Sequence, residues 1–271
     1  MKRTSLLAFL LAAAVLALQP ADPGAFGPAP GREGPGLTAA SSWEPASASA
    51  SRASEPSTAD ARGAGSGAPA TTRLPAVTAK TGMVASAHTL ASQAGLEILK
   101  AGGNAVDAAV AAAFAIGVVE PNATGLGGEG MMVIYLAATK QTVAIDYRST
   151  APKVTRFEKE IPATGHAAVA VPGTVAGLTV AQQKYGKLRL STVIAPAALL
   201  AEQGFTVSPT LAGILVDGFE EIAKNEALAK ILCPSGLPIE AGGTLKNPDL
   251  AASLRAIAAG GADVFYKGAI A

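Results

Sequence analysis

Residues 104–148 read "NAVDAAVAAAFAIGVVEPNATGLGGEGMMVIYLAATKQTVAIDYR". Within them, "GLGGEG" (125–130) has the spacing Gly125-x-Gly127-x-x-Gly130, the letters of a dinucleotide-binding turn. Pyrophosphate binding needs a strand, the glycine turn, and then a helix whose N-terminal amides meet the phosphates. Here the order is reversed. Asn104 caps a helix, with Asp107 three residues on completing an approximate capping box. "AVDAAVAAAFAIGVV" is small and apolar on nearly every face, which marks a buried helix, and Pro121 closes it. After the glycines come two β-rich runs, "MMVIYLA" (131–137) and "TVAIDYR" (142–148), separated by a polar break, which predict a hairpin. Helix, glycine turn, strand excludes a nucleotide site. It leaves a turn whose backbone needs either positive φ or close packing.

Working outward, "LASQAGLEILKAGG" (90–103) has helical spacing of its apolar residues and a glycine stop. Further helices are predicted at 173–186, at 192–204 with Pro196 near the first turn, at 208–225 after Ser208-Pro209, and at 247–261 after Asn247-Pro248. A hairpin or sheet flanked by several helices is an α+β layout.

The first 75 residues differ in texture. A basic start, Met1-Lys2-Arg3, precedes the apolar run "SLLAFLLAAAVLAL" (5–18), which is short for a membrane span and fits a signal peptide over residues 1–19. An uncleaved anchor is the other reading of the same run. Residues 20–75 are rich in Ala, Ser, Gly and Pro and read as a disordered linker, with Trp43 solvated inside it. The folded domain is then 76–271. The expected localisation is exported, periplasmic or extracellular.

A net charge of +1 and a pI near 7.8 give no electrostatic footprint for nucleic acid. A single cysteine, Cys233, excludes an intrachain disulfide and reads as a quiet buried thiol. His88 in "SAHTLAS" reads as a loop hydrogen-bonding residue. His166 has no acidic or Cys partner beside it in the sequence. Two histidines without further ligands suggest no metal site. Asn122-Ala123-Thr124 is a glycosylation sequon by its letters.

Four blocks together, "GMVASAHTLASQAGLEILKAGGNAVDAAVAAAFAIGVVEPNATGLGGEGMM" (82–132), "IDYRSTAP" (145–152), "VPGTVAGLTVAQQKYGKL" (171–188) and "NPDLAASLRAIAAGGADVFYKGAIA" (247–271), resemble the large subunit of the gamma-glutamyltranspeptidases, or glutathione hydrolases. The resemblance implies an N-terminal-nucleophile hydrolase fold, a four-layer α/β/β/α sandwich of which this chain supplies part. It also implies a self-cleaving precursor. The N-terminal Thr of the small subunit would attack the γ-glutamyl amide of glutathione, and water or an amino-acid or dipeptide acceptor would take the acyl group. No cofactor is implied. The family's Thr-Thr/Ser-His motif is not found; "ATTRLP" (70–75) has threonines but no His and precedes the first helix. No catalytic residue is therefore assigned, and the nucleophile is expected on polypeptide outside this chain.

One site residue carries over by the resemblance. Arg148 in "DYRSTAP" falls on the arginine that grips the substrate α-carboxylate. A guanidinium fork suits that task, whereas Lys offers a point charge. Read from the residues alone, Arg148 is a solvated strand-end arginine paired with Asp146, and the ligand role comes from the resemblance. Two letters depart from the family pattern. Ser149 stands where Glu is common, and Glu129, expected to be exposed, stands where Gly is usual. The alternatives are a related cephalosporin-acylase-type amidohydrolase, or a non-catalytic fragment that needs a second chain.

Overall fold

The structure is a computed structural model that describes residues 76–153, 165 and 168–271. The apolar run, the linker with Trp43, the threonines of "ATTRLP" and His166 lie outside the described residues. Thr81–Ala271 belong to one compact unit; of a second unit, Ala25–Lys80, only residues 76–80 are described, exposed and without regular secondary structure.

Helix α1 (Thr89–Lys100) packs on α2 (Ala105–Val119) at close range. A Cβ on Gly95 of α1 would lie 2.9 Å from the Ala108 carbonyl oxygen. The alanines of α2 allow this approach, and the helix is buried on almost every side, as its composition predicts. Its start is the capping box read from the sequence. Asn104 Oδ1 accepts from Val106 N and Asp107 N, and Asp107 Oδ2 accepts from Asn104 N at 3.0 Å.

Asp107 does more than cap. It is fully buried, and the same Oδ2 also accepts from Lys187 N at 2.8 Å and Leu188 N at 3.3 Å, while Oδ1 accepts from Gln182 Nε2 at 3.3 Å. Asn104 Nδ2 donates to the Tyr185 carbonyl at 2.6 Å. The start of α2 is thereby tied to the connection between α3 (Thr174–Tyr185) and α4 (Leu190–Gln203). Gly186 is required there because a Cβ would come within 2.4 Å of Asp107 Oδ1.

The hairpin forms as expected: β1 (Met131–Leu136) pairs antiparallel with β2 (Gln141–Asp146), Met131 opposite Asp146 and Leu136 opposite Gln141. Ile134 and Ile145 turn into the core, while Met131, Val133 and Tyr135 alternate onto an exposed face. A second antiparallel pair, β3 (Phe205–Thr206) with β4 (Thr244–Leu245), was not anticipated; two residues are too few to show periodicity.

The rest of the chain is helical, with three corrections to the sequence reading. The stretch 208–225 is two helices, α5 (Pro209–Asp217) and α6 (Phe219–Ala223), parted at Gly218, whose weak helix propensity lets the backbone turn. Asn225 then caps a further helix, α7 (Glu226–Leu232), accepting from Leu228 N. Pro196 lies in the interior of α4, not its first turn, because the helix begins at Leu190; it has no N–H to offer the Thr192 carbonyl. Finally α8 (Pro248–Gly260), capped by Asn247, is followed past Gly261 (φ 70°) by the short α9 (Ala262–Tyr266). Cys233 is buried with its thiol free.

Asp107→Ala should destabilise the chain by about 3 kcal/mol or more, because the buried Gln182 amide and three partly buried backbone N–H groups lose their acceptor together. Urea denaturation followed by far-UV circular dichroism measures this; a change under 1 kcal/mol would show that the junction does not depend on the carboxylate.

Candidate functional site

The glycine turn is built for close approach rather than for a special backbone conformation. None of Gly125, Gly127, Gly128 and Gly130 has positive φ; the positive-φ glycines lie elsewhere. A Cβ on Gly117 of α2 would lie 3.0 Å from Gly125 Cα, so the turn rests directly on the buried helix. The Gly128 carbonyl accepts from Gly173 N at 3.0 Å and Thr174 N at 3.1 Å. The first amides of α3 are therefore spent on the turn's own backbone.

Gly130 continues the hairpin ladder. Tyr147 N donates to the Gly130 carbonyl at 3.0 Å. The Tyr147 ring lies against Gly130 and Gly177, and its backbone carbonyl lies against Gly173. A Cβ on Gly130 would meet the ring at 2.8 Å and one on Gly177 at 2.2 Å, and one on Gly173 would come within 1.8 Å of the Tyr147 carbonyl oxygen. Burial raises the Tyr147 phenol above its usual pKa. Further along, Thr150 and Val171 exchange backbone hydrogen bonds of 3.0 and 2.8 Å. Tyr266 of α9 braces the same place, donating to the Pro172 carbonyl at 2.8 Å and accepting from Ala176 N at 3.2 Å. The segment 146–150 is thus clamped between the glycine turn and the start of α3.

That clamp carries Arg148 outward. Its guanidinium meets Asp146 side-on: Nε donates to Oδ1 at 3.1 Å and Nη2 to Oδ2 at 2.9 Å, and Arg148 N donates to Oδ1 at 3.0 Å. The pairing read from the sequence is present. Both side chains remain open to solvent, at 67% and 49% exposure. The hydrogen bonds from the Arg148 side chain, then its backbone N–H, hold the Asp146 carboxyl below its usual range, and the same pair raises the guanidinium.

The two departures from the family pattern bond to each other. Glu129 is exposed, as expected, and its Oε2 accepts from Ser149 N at 2.6 Å and Ser149 Oγ at 2.5 Å. The Ser149 hydroxyl first, and its backbone N–H next, lower the Glu129 pKa, with Arg148 adding a smaller pull. Nothing in the sequence announced this contact, since positions 129 and 149 belong to different elements. His88 serves a hydrogen bond, as expected, but at a helix start: Nδ1 accepts from Leu90 N at 3.1 Å.

Residues 91–271 match the family Gamma-glutamyltranspeptidase. The chain belongs to that family. It is 45% identical over 206 residues to the "Glutathione hydrolase proenzyme" of Escherichia coli, covering 72% of this chain and 35% of that protein. It is 42% identical over 205 residues to the "Acylase ACY 1 proenzyme" of a Pseudomonas strain, covering 69% and 36%. Among solved structures, gamma-glutamyltranspeptidase from Helicobacter pylori aligns with a TM-score of 0.69 at 38% identity, over 73% of this chain and 59% of that one. The chain spans about a third of the length of the curated relatives it matches. The likeness agrees with the expected α+β fold of the N-terminal-nucleophile hydrolases.

Glu129 should titrate below an ordinary glutamate. With a depressed folded-state pKa, the Glu129–Ser149 contact contributes above the usual carboxylate pKa and is lost as pH falls through the lowered value. A ¹³C NMR titration of the Glu129 carboxyl reads this directly, and Ser149→Ala should shift the midpoint upward. An ordinary midpoint in both proteins would refute the contact. Gly177→Ala should displace the Tyr147 ring and cost about 1–3 kcal/mol, as overpacking does; a thermal melt unchanged from wild type would contradict this packing.

Proposed function

We propose that this chain is the large-subunit portion of a γ-glutamyl transferase or glutathione hydrolase. Its substrates are glutathione and other γ-glutamyl compounds. Arg148 holds the substrate α-carboxylate, and the N-terminal Thr nucleophile comes from a small subunit of the same precursor. The acyl-enzyme on that Thr is resolved by water or by an amino-acid or dipeptide acceptor. The protein is exported, on the strength of the apolar run at 5–18; among the described residues no helix is long and apolar enough to cross a membrane.

The observation that carries the reading is the Arg148 guanidinium, held at a rigid strand end with its outer edge open. Identity by itself does not separate a glutathione hydrolase from an acylase, since relatives under both names are similarly close. An arginine at this position fits the carboxylate of a glutamyl substrate. The small subunit as partner is supported by the hairpin's outer face, where Met131, Val133 and Tyr135 are each more than 60% exposed. Side chains of that size in a row suit cover by further polypeptide.

Arg148→Lys in the complete enzyme should raise the KM for glutathione tenfold or more, because Lys cannot form two parallel hydrogen bonds to a carboxylate while holding Asp146. Steady-state hydrolysis of glutathione measures this. An unchanged KM would remove Arg148 from the site.

A further inference from the structure

Helix α3 has no side-chain cap of its own, since Gly173 stands at its N-cap. Its first amides are met from two distant places. Gly173 N and Thr174 N donate to the Gly128 carbonyl, and Ala176 N donates at 3.2 Å to Tyr266 Oη of α9, 90 positions along the chain. The same hydroxyl donates to the Pro172 carbonyl at 2.8 Å. One phenol thus uses its donor and an acceptor lone pair to join the approach to α3 with the first turn of α3. Two contacts carry this brace to Arg148. Val171 exchanges backbone hydrogen bonds of 2.8 and 3.0 Å with Thr150. Gly173 lies so close to the Tyr147 carbonyl oxygen that a Cβ there would come within 1.8 Å of it. Arg148 therefore stands between two residues, Tyr147 and Thr150, that both rest on the segment Tyr266 holds.

From this relay we infer that Tyr266 is a positioning residue for Arg148, an inference that rests on the proposed glutamyl site and deepens it. The Tyr266 hydroxyl fixes residues 171–173, and they fix the strand end that presents the guanidinium. Arg148 has no anchor on another element among the described residues. Its side-chain partner, Asp146, belongs to the same strand end and moves with it. The direction of the guanidinium is therefore set by the backbone at 147–150. Two parallel hydrogen bonds to a carboxylate tolerate little displacement before one is lost. Phe at position 266 would keep the ring and its edge-on contact with Phe265, whose centroid lies 4.9 Å away. It would leave the Pro172 carbonyl and the Ala176 N–H without this partner.

The test uses the full-length protein that carries this chain together with the polypeptide supplying the nucleophile, with glutathione as substrate. Tyr266→Phe should raise the KM about threefold or more and leave kcat within about twofold of wild type, because a displaced fork weakens the hold on the headgroup first. In an Arg148→Ala background the same substitution should change the KM by less than about 1.5-fold, since its effect passes through the guanidinium. A substitution that merely destabilised the fold would act equally in both backgrounds. Hydrogen exchange read by mass spectrometry should be faster in Tyr266→Phe for peptides covering 147–150 and 171–176. An unchanged KM in Tyr266→Phe, an equal rise in both backgrounds, or unchanged exchange in those peptides would each overturn the inference. Arg148→Ala alone separates the two levels. If it raises the KM while Tyr266→Phe does not, only the positioning role of Tyr266 falls; if it leaves the KM intact, the glutamyl site is wrong and the positioning role falls with it.

Discussion

A single buried carboxylate ties the start of α2 to the α3–α4 connection. Asp107 takes hydrogen bonds from the backbone at its own helix start and from backbone and side-chain groups about 80 positions along the chain. An acid with no solvent exposure is tolerated only when its lone pairs are met, and here they are. The consequence is positional. Because α2 and the α3–α4 connection share one acceptor, the start of α3 has a fixed place relative to the end of α2. The glycine turn bridges those two points, resting on Gly117 at one end and accepting the amides of Gly173 and Thr174 at the other. Its geometry follows from a constraint far from it.

The turn passes that order on to the hairpin. Tyr147 fills the space left by Gly130, Gly173 and Gly177, and no larger residue could stand at those positions without moving the ring or the backbone. Side chains alternate along a strand, so seating Tyr147 inward sends Asp146 and Arg148 outward together. That places them on one face, two residues apart, where the side-on ion pair forms. An exposed pair of this kind adds little stability. Its effect is on direction: the guanidinium is turned so that its remaining edge points away from Asp146.

Much of this was legible in the letters. Apolar composition gave α2 as a buried helix; the alternation after the glycines gave the hairpin; Asn104 with Asp107 gave the capping box. These are local signals, carried by residues a few positions apart. The order of elements also sufficed to set aside a nucleotide site. What stayed hidden was long-range. The second set of donors to Asp107, the glycine groove around Tyr147, the Tyr266 brace and the Glu129–Ser149 bond all join separate elements, and a spacing rule has no access to them. Gly173, which caps α3, and Gly177, one turn further on, were the nearest thing to a signal for the groove, since glycines at that spacing leave one helix face bare. The helix boundaries failed for a different reason. Gly218 and Asn225 are each tolerated inside a helix by pattern alone, and only the backbone shows that one breaks the run and the other restarts it.

The surroundings of Arg148 give a physical reason for the proposed site to need a second polypeptide. An arginine has two bidentate edges, and Asp146 occupies the side-on one, so a ligand carboxylate can take the end-on edge without displacing it. At the present exposure, water competes for both edges. Coulomb attraction between a guanidinium and a carboxylate rises about fourfold when the effective dielectric falls from that of water to roughly 20, the value typical near a protein surface. Cover over the strand end would bring that change without moving Arg148, Asp146 or Glu129. The exposed apolar row of Met131, Val133 and Tyr135 begins beside the same strand end, with Met131 directly opposite Asp146 in the ladder. A chain that packs on that row would also roof the charged cluster, so the apolar face and the Arg148–Asp146 pair would be covered by the same event.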